Sequence, residues 1–145
     1  MVVTFFGHSN TTESIQPILY STLKQLIENE NANLFYVGNH GNFDNITIHT
    51  LKKLKFYYPH ISYYVVLAYM PTRIEIYQDY ETIFPECLEK TIPKYAIVKR
   101  NKWMIEQADL VITYVNKTIG GANKFKNLSE RKGKRVINLA SIHKQ

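Results

Sequence analysis

A single cysteine, Cys87, stands in the 145 residues, so no disulfide can close within the chain, and no Cys/His group has the spacing of a zinc site. So little thiol chemistry fits a reducing, cytosolic setting. No apolar run approaches the roughly 20 residues of a membrane-spanning helix. No basic segment precedes the short apolar run at the N-terminus, so neither a membrane partner nor a cleaved leader is expected. The usual glycine-rich phosphate signatures are missing too. "GHSNTT" is not G-x-G-x-x-G, and no G-x-x-x-x-G-K-[ST] occurs, which disfavours a generic nicotinamide dehydrogenase or ATPase. No internal repeat or low-complexity segment is evident, and no metal or resident cofactor is expected.

What the chain does have is a core. Hydrophobic residues make up 45% and charged residues 21%, a globular composition that predicts one domain over residues 1–145. "VVTFF" is a short β-prone run that stops at Gly7. A helix on Ile15, Leu19, Leu23, Leu26 and Ile27 follows, starting near Glu13 or Ser14 so that Pro17 lies in its first turn. The order then recurs. "NLFYV" ends at Gly38, a helix runs from about Asn42 to Tyr57, and "ISYYVVLAY" forms a third strand. A helix from Lys94 to Gln107, a strand "LVITYV", a helix from Gly120 to Lys132 and a strand "RVINLA" complete the series. Near-continuous apolar strands between amphipathic helices imply a five-stranded parallel sheet covered on both faces, an α/β fold.

Two segments depart from this rhythm. Met70 to Pro93 holds three prolines, five acidic residues (Glu75, Asp79, Glu81, Glu86, Glu89) and three aromatics (Tyr77, Tyr80, Phe84), and reads as a long loop or lid with a short helical turn. From Lys117 to Lys144 eight basic residues face only Glu130, which is either a solvated surface or a basic rim for phosphates; the formal net charge is +6.

Of the six glycines, Gly7, Gly38, Gly41, Gly120 and Gly121 follow strand ends and precede helices. Right-handed crossovers bring strand C-termini to one edge, so these loops converge on one crevice. There glycine permits close backbone approach, and helix N-termini present free N–H groups to anions. A phosphate-bearing or otherwise polar ligand is expected.

"FFGHSNTT", "FYVGNHGNFD", "RNKWMIEQADLVITYV" and "GGANKF" together resemble the SLOG superfamily, the Rossmann-like group that includes DprA-type and Lonely Guy proteins, and within it small bacterial and phage members. The resemblance covers nearly the whole chain and implies strand order 3-2-1-4-5, a homo-oligomer, and binding of a nucleotide-derived small molecule such as an ADP-ribose-type or cyclic nucleotide signal. Sensing such a signal, or sequestering it against host immunity, is the activity it suggests. Carried onto this chain, it implicates Gly7, His8, Ser9, Gly38, Asn39, Arg100, Asn101, Gly120, Gly121 and Ala122. Many relatives have an arginine where Ser9 stands.

Lonely Guy phosphoribohydrolases carry P-G-G-x-G-T-x-x-E, whose glutamate assists cleavage of an N-glycosidic bond. Here Asn123, Lys124 and Asn127 replace the glycine, threonine and glutamate, which favours binding over hydrolysis unless Glu81 or Glu106 supplies a carboxylate. A nucleic-acid module using the basic C-terminal third is the other alternative. Among single residues, His8 and His40 suit phosphate donation or proton transfer. Asn39 suits a base or a ribose, and Asp44 either a helix cap or a ribose. Arg100 suits a phosphate, or an ion pair with Glu81 or Glu106. Lys124 and Lys126 face either an anion or water, Asp109 is expected to bond local backbone, and Trp103 belongs to the core.

Overall fold

The apolar runs and the amphipathic helices between them assemble into one six-stranded sheet. The computed structural model describes residues 1–143, the side chains of Glu75, Tyr77 and His143 excepted; Lys144 of the basic stretch lies outside the described residues. In chain order the elements are β1 (Val2–Gly7), α1 (Gln16–Glu30, entered through a 3-10 turn at Glu13–Ile15), β2 (Leu34–Val37) and α2 (Asn42–Tyr57). Then come β3 (Ser62–Val66), α3 (Arg73–Tyr77), β4 (Thr82–Ile83) and, past a 3-10 turn at Glu86–Leu88, α4 (Pro93–Gln107). β5 (Leu110–Tyr114), α5 (Gly121–Arg131), β6 (Arg135–Asn138) and α6 (Leu139–His143) end the chain.

The strands lie in the order β4-β3-β2-β1-β5-β6, every neighbouring pair parallel. Without β4 this is the expected order. Five strands become six because residues 82–83 of the acidic excursion pair with Val65 and Val66 at the outer edge of β3. The fifth expected strand is also shorter than "RVINLA", since Leu139 and Ala140 open α6.

Alternation along the strands explains why both faces are covered. Val3 and Phe5 of β1, with Leu110 and Ile112 of β5, join a core built on α1 and α2 through Leu19, Leu23, Phe43, Ile46 and Leu51. Phe6 and Val111 point to the other face, against Met104 and Ile105 of α4 and Phe125 of α5. Trp103 packs edge-on to the Tyr36 ring, 5.1 Å between centroids, and belongs to that second core as expected. The Asp109 carboxylate accepts the Val2 N–H at 2.8 Å, a bond across two strands rather than a local one.

The order places a switch point beside β1. From β1 the chain steps outward through β2, β3 and β4, then returns to add β5 on the other flank of β1. The loops leaving β1 and β5 therefore part in opposite directions, which opens a crevice at their C-terminal ends. Among the described residues no helix is long and apolar enough to cross a membrane, and no group of three or more His, Cys, Asp or Glu could hold a metal ion.

Candidate functional site: a cleft at the C-terminal ends of β1 and β5

The crevice is a cleft of about 610 Å³, within the range that holds a small-molecule ligand. Four segments line it. The loop after β1 contributes Gly7, His8, Ser9 and Asn10, and the approach to α2 contributes His40 and Asp44. One face of α4 brings Arg100 and Asn101, and the passage from β5 into α5 brings Lys117, Ile119, Gly120, Gly121 and Ala122. Phe5, Phe6, Ile97, Met104 and Phe125 add apolar surface between them.

The two helix N-termini that open here are unlike each other. That of α2 is closed by protein: the Asn42 N–H donates to the Ser9 carbonyl at 2.8 Å, and the Asn42 side-chain amide donates to the Thr11 carbonyl. Gly41 makes this closure possible, because its φ is +92° and a Cβ there would stand 2.7 Å from Ser9. By contrast, α5 is preceded by Gly120, φ +103°, with no side-chain cap, and a Cβ on Gly120 or Gly121 would meet nothing within 4 Å. The first N–H groups of α5 thus face open space beside Lys117, the arrangement that attracts an anion.

His8 ties the two loops together. Its Nε2 accepts the Asn116 N–H at 3.2 Å, which leaves the proton on Nδ1. Burial, and then the charge of Lys117, lower its pKa, so the ring is neutral at pH 7 and is no cationic phosphate ligand. His40, expected beside it, lines the same cleft and is exposed.

Arg100 is the largest fully buried side chain, at 2% exposure. Its Nε donates to Asn101 Oδ1 at 2.7 Å, and its Nη1 to the Val66 carbonyl at 2.9 Å and Asn39 Oδ1 at 3.2 Å. Neither Glu81 nor Glu106 pairs with it. Both reside outside the cleft, Glu81 in a separate groove beside Tyr63 and Asp79. Among the described residues the one carboxylate lining the cleft is Asp44, 8% exposed, whose Oδ2 accepts the His40 N–H at 3.0 Å. Burial pushes its pKa up to about 6, against the lowering effects of that hydrogen bond, Arg100 and His40.

Three expected site residues do not line the cleft. Gly38 sits behind it, where a Cβ would come 2.9 Å from Asp44 Oδ2 and 3.0 Å from Arg100 Cζ, so its missing side chain is what admits both charged groups. Asn39 holds Arg100 from outside, and exposed Lys124 lies over the Phe125 ring at 5.6 Å. Lys126 and Arg135, from the basic stretch, pair with Glu130 and Glu30. Tyr80 and Phe84 pack against the first core, whereas the Tyr77 side chain lies outside the described residues. Reading the sequence residue by residue does not single out Asn10 or the apolar lining, and Lys117 enters it only as the start of the basic stretch. For Phe6 and Lys117 a signal existed, since each directly adjoins a loop already singled out.

No protein-family model matches the sequence, and no curated protein matches it. Among solved structures, the X-ray structure of DNA processing protein A (DprA) from Streptococcus pneumoniae superposes with a TM-score of 0.68 at 14% identity. The match covers 92% of this chain and 48% of that one, so the chain spans about half that protein's length. At such identity the likeness is one of fold alone, a Rossmann-like parallel sheet flanked by helices.

Proposed function

We propose that the cleft captures a nucleotide-derived small molecule, for sensing or sequestration. The observation that carries this reading is the uncapped N-terminus of α5, opened by Gly120 and Gly121 onto a cleft of about 610 Å³ with Lys117 at its rim. An anion there gains the free N–H groups and the positive end of the helix dipole. The same cleft is lined by the apolar side chains Phe6, Ile97, Met104 and Phe125, suited to a base, and by the polar side chains Asp44, Arg100 and Asn101. Phosphate, base and sugar require this combination of surfaces. Asn127 stands where phosphoribohydrolases carry their glutamate, so that position has no carboxylate, and Asn123, in place of a glycine, donates to the Thr118 carbonyl at 2.7 Å.

The test is to denature the purified protein and identify released small molecules by mass spectrometry, alongside a thermal-shift panel of nucleotides, ADP-ribose derivatives and cyclic dinucleotides. A stoichiometric, intact nucleotide that is lost in Gly120→Trp supports capture. Free base accumulating at turnover overturns it in favour of hydrolysis. No released ligand and no thermal shift would end the reading.

A second reading, nucleic-acid binding, has one observation in its favour: the fold shared with a protein described as DNA processing. Against it stand the pairing of Lys126 and Arg135 within the chain and the acidic residues of the excursion.

A further inference from the structure

Asp44 and Arg100 are neighbours in a buried place, yet they do not pair. The ion pairs among the described residues are Lys52–Asp79, Lys126–Glu130 and Arg135–Glu30. Arg100 is instead held by two amide oxygens and a backbone carbonyl, through Nε and Nη1, and its Nη2 makes no hydrogen bond among the described residues. Among the described residues Asp44 accepts the His40 N–H, on Oδ2, and no hydrogen bond on Oδ1. A buried carboxylate ordinarily fills its remaining acceptor capacity.

Capping α2 does not account for this. The exposed side of the first turn would serve a cap as well, without the burial or the gap that Gly38 leaves for it. As the only carboxylate that lines the cleft among the described residues, Asp44 provides an acceptor where Lys117, the α5 N-terminus and Arg100 provide donors. Although burial raises its pKa to about 6, it is ionised at pH 7, with Arg100 and His40 as the charged and titratable groups facing it.

We propose that Asp44 accepts a hydrogen bond from a ribose hydroxyl of the bound molecule, so that the cleft selects ribonucleotides over their deoxy counterparts. The proposal rests on the nucleotide reading above. A hydroxyl donates to an ionised carboxylate strongly, and a ligand lacking it leaves the desolvated charge unmatched. A phosphate oxygen is repelled by the Asp44 carboxylate, and the apolar surface suited to the base lies on other elements.

The experiment is isothermal titration calorimetry of the intact chain with AMP, GMP, CMP and UMP and with the 2′-deoxy and 3′-deoxy form of each. For any ribonucleotide that binds, loss of one of the two hydroxyls is expected to weaken binding about tenfold or more. A smaller loss at both positions overturns the proposal while leaving the nucleotide reading intact. If none of the nucleotides binds, that reading falls and this proposal with it. In Asp44→Asn, which keeps an oxygen for the His40 N–H, the ribose preference should shrink to within about threefold. An undiminished preference in a folded variant would assign the discrimination elsewhere. Should the variant not fold, the sugar comparison on the unaltered protein still decides.

Discussion

At the scale of single residues, glycines with the same sequence context have opposite tasks. A Cβ on Gly7 would lie 2.2 Å from Cγ of the Phe43 ring, a rigid group wedged between β1 and α2. Gly7→Ala should therefore destabilise the fold by about 1–3 kcal/mol, the usual cost of overpacking a core, measured by urea denaturation. Gly121→Ala meets open space and should change the stability measured in the same way by less than about 0.5 kcal/mol. Asp44 makes the second residue-level prediction. Its carboxyl has a pKa near 3.8 when unfolded and about 6 when folded. The folded state is thus the one that holds the proton between these values. The stability this group contributes is full below about pH 4 and is lost as pH rises through 6, a loss on the order of 2–3 kcal/mol. Asp44→Asn cannot titrate, so its melting temperature should fall less than that of the unaltered protein between pH 4 and 7.

Elements differ in how firmly they are built, and that difference also decides what the sequence makes legible. β1 and β5 are central and flanked on both faces, whereas β4 is two residues at an edge. Amides of Thr4, Phe5 and Val111 should exchange with deuterium orders of magnitude more slowly than those of Thr82 and Ile83, by native-state exchange and mass spectrometry. Equal protection would mean that the edge strand is as cooperative as the centre. The same contrast explains the reading errors. Strands buried on both faces announce themselves as apolar runs, and Pro17 and the five loop glycines punctuate the helices between them. β4 has no run to show, only "TI" inside an acidic, proline-rich stretch, and exists because the edge of β3 has unpaired groups to offer. Leu139 and Ala140 look like strand from their apolarity alone, but Asn138 turns its side chain back on Val115, accepting one N–H and donating to the carbonyl, and the chain turns into α6. In the site, the loops were legible through their glycines. The partners of Arg100 were not, because amide oxygens on Asn39 and Asn101 carry no charge pattern to pair by.

Over the whole molecule, the formal charge of +6 is unevenly spread, and its distribution separates the two functional readings. The excursion from Met70 to Pro93 sets five carboxylates against Arg73 and Lys90, so the positive excess belongs to the rest of the chain. A duplex would have to engage exposed lysines outside the cleft, such as Lys124 and Lys132, and each phosphate neutralised would release counterions to the solvent. A mononucleotide in the cleft instead meets α5 N–H groups and a buried arginine, contacts that bulk salt screens far less. Raising sodium chloride from about 50 to 200 mM should therefore lower the affinity for a short DNA duplex by more than about tenfold. The affinity for a mononucleotide should change by less than about threefold. Fluorescence anisotropy with labelled duplex and calorimetry with mononucleotide measure the two slopes on one preparation. A mononucleotide slope as steep as that of the duplex would mean that the ligand sits on the exposed lysines rather than at the α5 N-terminus, and the cleft would lose its claim as the binding site.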